Sequence, residues 1–243
     1  MPIEIKPVVL VLADISGYTK FITSHQTELV HAEQIISELL EAVIGSAEYP
    51  LTLNKLEGDA AFLYAQTGGN DAAAARDVAK QVEAFVKAFN AKEVDLVNRT
   101  DICACGACRN IHQLKLKVIL HVGEAAFKHI RQFEELAGED VILIHRLLKS
   151  GLTADEYILM SERFYQLSGG VPGLPAEAHT TAAEGLGQVK VHVCYPSTAE
   201  RIAPPVEPKP QIKNLRGMFT IMKWGQAVNH PRRAKFNHLP DRA

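Results

Sequence analysis

Residues 8–19 read VVLVLADISGYT, and they place a carboxylate at the end of an apolar run. The first six of these residues carry no charge and favour β structure, which predicts a buried strand. Asp14 follows at once, ahead of Ser16 and Gly17. An unpaired carboxylate is costly to bury, so the group that Asp14 meets at the end of this strand is the main question that the sequence raises.

The overall composition is typical of a globular protein with a sizeable core. The chain has 243 residues, of which 47% are hydrophobic and 22% charged. It contains no run of about 18 apolar residues, so no membrane span is predicted. The N-terminal sequence MPIEIKP does not have the features of a signal peptide. Three of the four cysteines fall within six residues, a poor disulfide framework, and a reduced cytoplasmic location is therefore expected.

The C-terminal part differs from the rest in charge. The whole chain has 26 Lys or Arg and 28 Asp or Glu, but from residue 200 onward the counts are nine and three. Four prolines also fall between residues 204 and 210. These features predict a domain over residues 1–197 and a basic extension over residues 198–243. No nucleic-acid-binding signature accompanies the charge, so the extension is expected to dock on its own domain or on a second copy.

The hydrophobic pattern predicts helices and strands in the order β-α-β-β-α-β, with additions. The predicted helices cover residues 21–47, 70–90 and 138–149, and the predicted strands cover residues 8–13, 51–57, 60–65, 114–122, 157–160 and 189–194. The second and third strands are joined at Gly58 and Asp59. This order predicts a ferredoxin-like α+β sandwich.

Four segments of the chain resemble class III nucleotidyl cyclases. They are LADISGYTKF at 12–21, NKLEGDAAFLYA at 54–65, LKVILHVGEA at 116–125 and AGEDVILIHRLLKSG at 137–151. Each motif alone is common, but all four occur in the family's order and at about its spacing, over roughly residues 6–195. The chain is most similar to an uncharacterised bacterial family related to these cyclases, through HAEQIISELLE at residues 31–41, EGDA, the cysteine-rich loop and DVILIHRLLK.

The resemblance implies a divalent-metal site at the end of the first strand. Its ligands for Mg²⁺ or Mn²⁺ would be Asp14, Asp59 and the backbone carbonyl of Ile15. Two adjacent carboxylates repel one another unless a cation lies between them, and oxygen ligands suit these metals. The alternative is that Asp14 caps the following helix and that Asp59 fills a tight turn with Gly58.

The resemblance also implies a purine nucleoside triphosphate as ligand. Arg146 falls on the arginine that stabilises charge at the phosphorus centre, and Gly17 lies in a nucleotide-binding segment. Lys55 and Glu135 fall on the pair that reads the purine base; the alternative is two solvated surface charges. Because the family's sites form between two chains, a head-to-tail homodimer is expected.

Two positions depart from the family pattern. The asparagine that positions the ribose falls on Ile142, and a phosphate-binding lysine falls on Glu184. Loss of one preorganised donor costs on the order of 10²–10³ in rate, so weak or absent turnover is expected. Two interpretations remain open: a nucleotidyl cyclase that releases pyrophosphate, and a degenerate domain with a regulatory or scaffold role.

A cysteine-rich loop forms a second candidate metal site. Cys103, Cys105, Cys108 and His112 have the spacing C-x-C-x₂-C-x₃-H. Three thiolates and an imidazole are a ligand set that suits structural Zn²⁺. The alternatives are a reduced flexible loop and a reversible disulfide.

Overall fold

The computed structural model describes residues 3–99 and 105–196. Within these ranges eight strands form one sheet in the order β2-β3-β1-β4-β6-β8-β7, and β5 pairs with β4. The strands are β1 (Glu4–Ser16), β2 (Thr52–Glu57), β3 (Ala60–Gln66), β4 (Lys115–Ile130), β5 (Phe133–Ala137), β6 (Tyr157–Ser161), β7 (Glu177–Ala183) and β8 (Gly187–Cys194). The helices are α1 (Tyr18–Ser24), α2 (Leu29–Gly45), α3 (Asp71–Asn98), α4 (Gly106–Arg109), α5 (Glu139–Leu147) and α6 (Glu162–Ser168).

The predicted ferredoxin-like α+β sandwich is confirmed by the strand order. Strands β2, β3, β1 and β4 are antiparallel neighbours, whereas β4 and β6 run parallel. A parallel pair needs a crossover connection, and α5 lies in the chain between β4 and β6. No helix in the described ranges is long and apolar enough to cross a membrane. The predicted basic extension over residues 198–243 lies outside the described residues.

Strand β1 is buried on both faces of the sheet, as its uncharged sequence predicts. Val9, Val11 and Ala13 belong to the core that includes α2 and α3. The alternating residues Leu10 and Leu12 belong to the opposite core, which includes side chains of α5. All are fully buried, and side chains alternate along a strand, so Asp14 continues the row of Leu10 and Leu12 on the α5 face.

Several elements differ from the predicted ones. The helix predicted over residues 21–47 is two helices, separated by a 3₁₀ turn at Gln26–Glu28. Helix α3 continues to Asn98 because Leu96 is still buried against the core. Strands β5 and β7 were not predicted, since both contain more polar and exposed residues than a core strand. Among the described residues β7 therefore forms an edge of the sheet, next to the predicted strand β8.

Gly123 allows α5 to approach the sheet closely. It lies in β4 opposite Val8, and a Cβ atom at this position would overlap the carboxyl group of Asp140 in the first turn of α5. Gly123→Ala should therefore lower the free energy of unfolding by about 2–3 kcal/mol, as overpacking of a filled core does. Urea denaturation of the purified chain measures this change.

Gly45 provides the matched control for that substitution. It ends α2, and a Cβ there would meet no atom within 4 Å. Gly45→Ala should be neutral or stabilise the protein by about 0.5–1 kcal/mol. Equal destabilisation by the two substitutions would contradict the tight contact assigned to Gly123.

Candidate functional site

Asp14 and Asp59 lie together where β1 meets the β2–β3 turn. Asp14 is opposite Ala60 across the β1–β3 ladder, and the Ile15 N–H donates to the Asp59 carbonyl oxygen at 3.1 Å. Gly58, with φ of 67°, allows the tight turn that carries Asp59. Burial, together with the charge of Asp59, raises the pKa of Asp14 from 3.8 to about 6. The structure therefore brings the two predicted carboxylates together in a setting that opposes their negative charge.

Asp14 belongs to a row of side chains that crosses five strands. The register places Glu57, Ala60, Asp14, Lys117 and Tyr157 side by side on β2, β3, β1, β4 and β6. Residues directly opposite each other in a sheet project from the same face. The charge of Lys117 acts on the pKa of Asp14 in the lowering direction, but burial outweighs it. The methyl side chain of Ala60 is the smallest of the row, and it separates Glu57 from Asp14.

A third carboxylate, which the sequence did not predict, lies near the pair. Glu33 on α2 accepts a hydrogen bond from the Tyr18 hydroxyl at 3.0 Å. Burial raises the pKa of Asp59, and the charge of Glu33 raises it further. Glu33 lies among the polar positions of an amphipathic helix, where no local pattern distinguishes it from a solvent-exposed residue.

The predicted base-reading pair also meets in the structure. The Lys55 ammonium lies 3.1 Å from a carboxylate oxygen of Glu135 and 3.4 Å from one of Glu57. Glu57 in turn holds His145, with 2.8 Å between its other oxygen and the imidazole Nε2. Lys55 and Glu57 are two positions apart on β2 and therefore share a face, a signal that could have revealed Glu57 in the sequence.

Arg146, which the resemblance predicts to stabilise charge at the phosphorus centre, forms an ion pair with an acid of its own chain. Arg146 Nη1 donates to Glu184 Oε2 at 2.6 Å. The side chains are 37% and 80% exposed, and an ion pair this exposed contributes about 0–1 kcal/mol. Ile142, the other departure from the family, is 51% exposed on α5, one turn before Arg146. The pair is thus weak enough for a stronger anion to displace Glu184.

The backbone conformation and the surroundings of residue 17 require a glycine, independently of any role in ligand binding. Its φ is 89°, and an added Cβ would lie 2.9 Å from the backbone oxygen of Gln113. An L side chain would be strained by the backbone angle and crowded by Gln113. The role of Gly17 in nucleotide binding stays a prediction.

His121 is a buried packing residue. It is 4% exposed, and its ring nitrogens lie 2.8 Å from the Ser161 hydroxyl and 2.8 Å from Asp140 Oδ1. Ser161 is 3% exposed and also caps α6 by accepting from the Phe164 N–H. A buried serine cannot reach a substrate, so this serine–histidine–aspartate series fastens α5 to the sheet and is not a nucleophilic site.

The cysteine-rich segment differs from its prediction in one ligand. Cys105 and Cys108 lie together, and the histidine grouped with them is His31 of α2. His112, the predicted ligand, is in the 3₁₀ turn Ile111–Gln113 and is not a member of this group. Cys103 lies outside the described residues.

The fold is that of class III adenylyl and guanylyl cyclase domains, which confirms the resemblance seen in the sequence. The adenylyl cyclase CyaB from P. aeruginosa superimposes with a TM-score of 0.61 at 16% identity, over 84% of this chain and 100% of that one. A class III adenylyl cyclase-like ATP-binding protein from Pseudomonas aeruginosa has a TM-score of 0.53 at 17% identity, over 68% of this chain and 35% of that one.

Within this fold the chain belongs to the DUF2652 family. The family model described as "Protein of unknown function (DUF2652)" matches residues 36–157. The uncharacterized protein Rv2561/Rv2562 of Mycobacterium tuberculosis (strain ATCC 25618 / H37Rv) is 34% identical over 189 residues, which are 78% of this chain and 85% of that protein.

Proposed function

We propose that this protein binds a purine nucleoside triphosphate with Mg²⁺ or Mn²⁺ in a cleft of the class III cyclase type, and that cyclisation is slow or absent. The main support is the meeting of Asp14 and Asp59 at the junction of β1 with the β2–β3 turn. A protein of the same fold that is described as ATP-binding supports the binding part of the proposal.

The carboxylates at this junction fit a divalent cation. Burial raises the pKa of Asp14 to about 6, and the charge of Asp59 contributes in the same direction. A cation between the two groups would remove this penalty, and oxygen ligands suit Mg²⁺ and Mn²⁺. Asp14, Asp59 and the Ile15 carbonyl would hold it. When bound, the metal would neutralise phosphate charge and lower the pKa of an attacking hydroxyl group.

The groups around Lys55 suit a purine ring. The ammonium group of Lys55 only donates and the carboxylate of Glu135 only accepts, so together they complement N1 and the 6-amino group of adenine. The 3.1 Å ion pair fixes the orientation of both side chains before a ligand arrives. In this proposal Lys55 and Glu135 of one chain read the base, and the phosphates extend toward Asp14 and Asp59 of the second chain in the dimer.

Calorimetric titration of the full chain with ATP and with GTP in the presence of Mn²⁺ tests the proposal. Products after incubation are identified by mass spectrometry. Saturable, Mn²⁺-dependent binding with little cyclic nucleotide is the expected result. Absence of binding by either nucleotide would refute the proposal.

Lys55→Ala should weaken nucleotide binding by roughly tenfold and reduce discrimination between ATP and GTP. A charge-assisted hydrogen bond contributes about 1.5–3 kcal/mol, and part of that is replaced by water. Lys80→Ala is the control, because Lys80 forms an exposed ion pair with Asp77 on α3. Competition of each nucleotide against a fluorescent ATP analogue gives both affinities. Unchanged selectivity in Lys55→Ala would remove Lys55 from the base-reading role.

A head-to-tail homodimer is part of the same proposal. Apolar side chains that are 40–60% exposed occur on β2, on the β4–β5 hairpin and on α5; they are Leu53, Leu56, Ile130, Phe133 and Ile142. Exposed apolar groups of this kind are common at interfaces between chains. Sedimentation equilibrium of the full chain should show a dimer at micromolar concentration, and Phe133→Glu should shift it toward monomer. A monomer at all concentrations would contradict this arrangement.

A degenerate, non-catalytic domain that serves as a dimeric regulatory or scaffold module and binds no nucleotide is the second candidate function. It is favoured by the ion pair of Arg146 with Glu184 and by the apolar side chain of Ile142. A regulatory or scaffold module would need the fold and the dimer but not the residues that bind nucleotide and catalyse cyclisation. The titration distinguishes the two candidates, because a scaffold without a nucleotide role gives no heat of binding.

A further inference from the structure

Three soft-metal ligands converge beside α2, away from the carboxylates of the proposed cleft. The ligand atoms of His31, Cys105 and Cys108 all lie within 4.8 Å of one another. His31 Nδ1 is 3.3 Å from the sulfur of Cys105 and 3.7 Å from that of Cys108. Cys108 is buried and Cys105 is half-buried. The histidine comes from a helix more than 70 positions earlier in the chain, so only folding brings the three together.

These distances are those of a tetrahedral zinc site. With Zn–S bonds of about 2.3 Å and Zn–N bonds of about 2.0–2.1 Å, neighbouring sulfur and nitrogen ligands are about 3.5 Å apart. The two observed S···N distances, 3.3 and 3.7 Å, lie on either side of that value. The sulfur of Cys108 is also 3.8 Å from His31 Nε2, so a turn of the imidazole would aim Nδ1 at an ion shared by the three ligands.

The surrounding contacts hold the cysteine segment in place. The Cys108 N–H donates to the sulfur of Cys105 at 3.4 Å. The Ala107 N–H donates to a carboxylate oxygen of Glu28 at 3.0 Å. Gly106 packs against His25 so closely that an added Cβ would lie 3.0 Å from the ring. The backbone of the segment is thus held against the connection between α1 and α2, with both sulfurs close to His31.

We propose that His31, Cys105 and Cys108 bind one Zn²⁺ ion that fastens the cysteine segment to α2. The two thiols release their protons when the metal binds, and water or another group takes the fourth position. This ligand set differs from the one that the spacing predicts, because His31 replaces His112. The site goes beyond the proposed nucleotide function, since none of its ligands belongs to that cleft.

Metal content of the full chain tests the site. The protein is purified under reducing conditions without chelator, and zinc is measured by elemental analysis. About one zinc per chain is expected. His31→Ala and Cys105→Ser should lose it, whereas His112→Ala should retain it. A wild-type protein without zinc, or loss in His112→Ala with retention in His31→Ala, would overturn the proposal.

Cobalt substitution keeps the test decisive if His31→Ala does not fold. Co²⁺ in a tetrahedral thiolate site gives strong visible and near-ultraviolet absorption. His31→Cys should bind Co²⁺ with a more intense thiolate-to-metal charge-transfer band, because a third sulfur replaces the nitrogen ligand. The spectrum of His112→Ala should match that of the wild type. An unchanged spectrum in His31→Cys, or rapid oxidation of Cys105 and Cys108 to a disulfide in the presence of zinc, would contradict the assignment.

Discussion

Asp14→Asn should abolish Mn²⁺-dependent nucleotide binding, with a loss of at least about 100-fold in affinity. An amide keeps the shape of the side chain but removes the charge that a divalent cation requires. Asp77→Asn is the control, because it removes a carboxylate from an exposed ion pair on α3. Calorimetry with ATP and Mn²⁺ measures both variants. Retention of binding in Asp14→Asn would show that the metal, if it binds, does so elsewhere.

The same substitution should stabilise the metal-free protein. The pKa of Asp14 is about 6 in the folded chain, above its ordinary value of 3.8, so folding disfavours the ionised form. The penalty is fully present above pH 6 and disappears as the pH falls from 6 toward 3.8. A shift of this size corresponds to at most about 3 kcal/mol. Asp14→Asn should therefore raise the free energy of unfolding at pH 7.5 in EDTA, and give little gain near pH 4.

If Asp14→Asn lowers nucleotide affinity but raises the free energy of unfolding, Asp14 is a functional carboxylate. Replacement of a residue whose role is structural lowers the stability of the protein instead. Urea denaturation at the two pH values gives the comparison, with Asp77→Asn expected to show no such pH dependence. A destabilised Asp14→Asn at pH 7.5 would mean that Asp14 has a stabilising partner in the fold.

Wild-type turnover on ATP or GTP should not exceed about 10⁻³ s⁻¹. Typical enzymes turn over near 10 s⁻¹, and two missing donors at roughly 3 kcal/mol each lower the rate by about 10⁴. The double substitution Ile142→Asn with Glu184→Lys should raise turnover by about 100-fold, because it supplies a ribose contact and a phosphate-binding cation. Both positions are exposed, so the fold should tolerate the changes.

The single substitution Glu184→Gln separates the release of Arg146 from the addition of a phosphate-binding cation. It releases Arg146 without adding a cation, and should improve nucleotide affinity more than turnover. Cyclic nucleotide formation measured by mass spectrometry, with Lys80→Ala as a neutral variant, provides the readout. Wild-type turnover near 10 s⁻¹ would show that neither Ile142 nor Glu184 limits the reaction.

The two carboxylates of the candidate metal site were predicted from local patterns in the sequence. Asp14 follows an uninterrupted apolar strand, and Asp59 follows the glycine of a hairpin, so strand pairing alone places them together. The Lys55–Glu135 pair was available only through the family resemblance, because 80 positions separate the two residues. Spacing along the chain was sufficient to predict a residue pair on neighbouring strands that follow one another closely in the sequence. It was insufficient for a pair on elements far apart in the sequence.

The features that the sequence missed are contacts between distant elements. His112 was predicted as a metal ligand because it follows the cysteines at a suitable interval, whereas His31 reaches them from another helix. Glu33 approaches Asp59 through the packing of α2 on the sheet. Strands β5 and β7 lack the hydrophobic alternation of a core strand, because each buries one apolar side chain, Leu136 and Ala183, and otherwise pairs through its backbone with β4 and β8.

Helix α2 carries His31 and Glu33 two positions apart, and this spacing has a geometric consequence. Successive helical residues are rotated by about 100°, so the two side chains point about 200° apart, to opposite sides of the axis. His31 lies with Cys105 and Cys108, whereas Glu33 accepts from Tyr18 and acts on the charge of Asp59. The 17-residue helix thus contributes one residue to the zinc site and one to the surroundings of the carboxylate site.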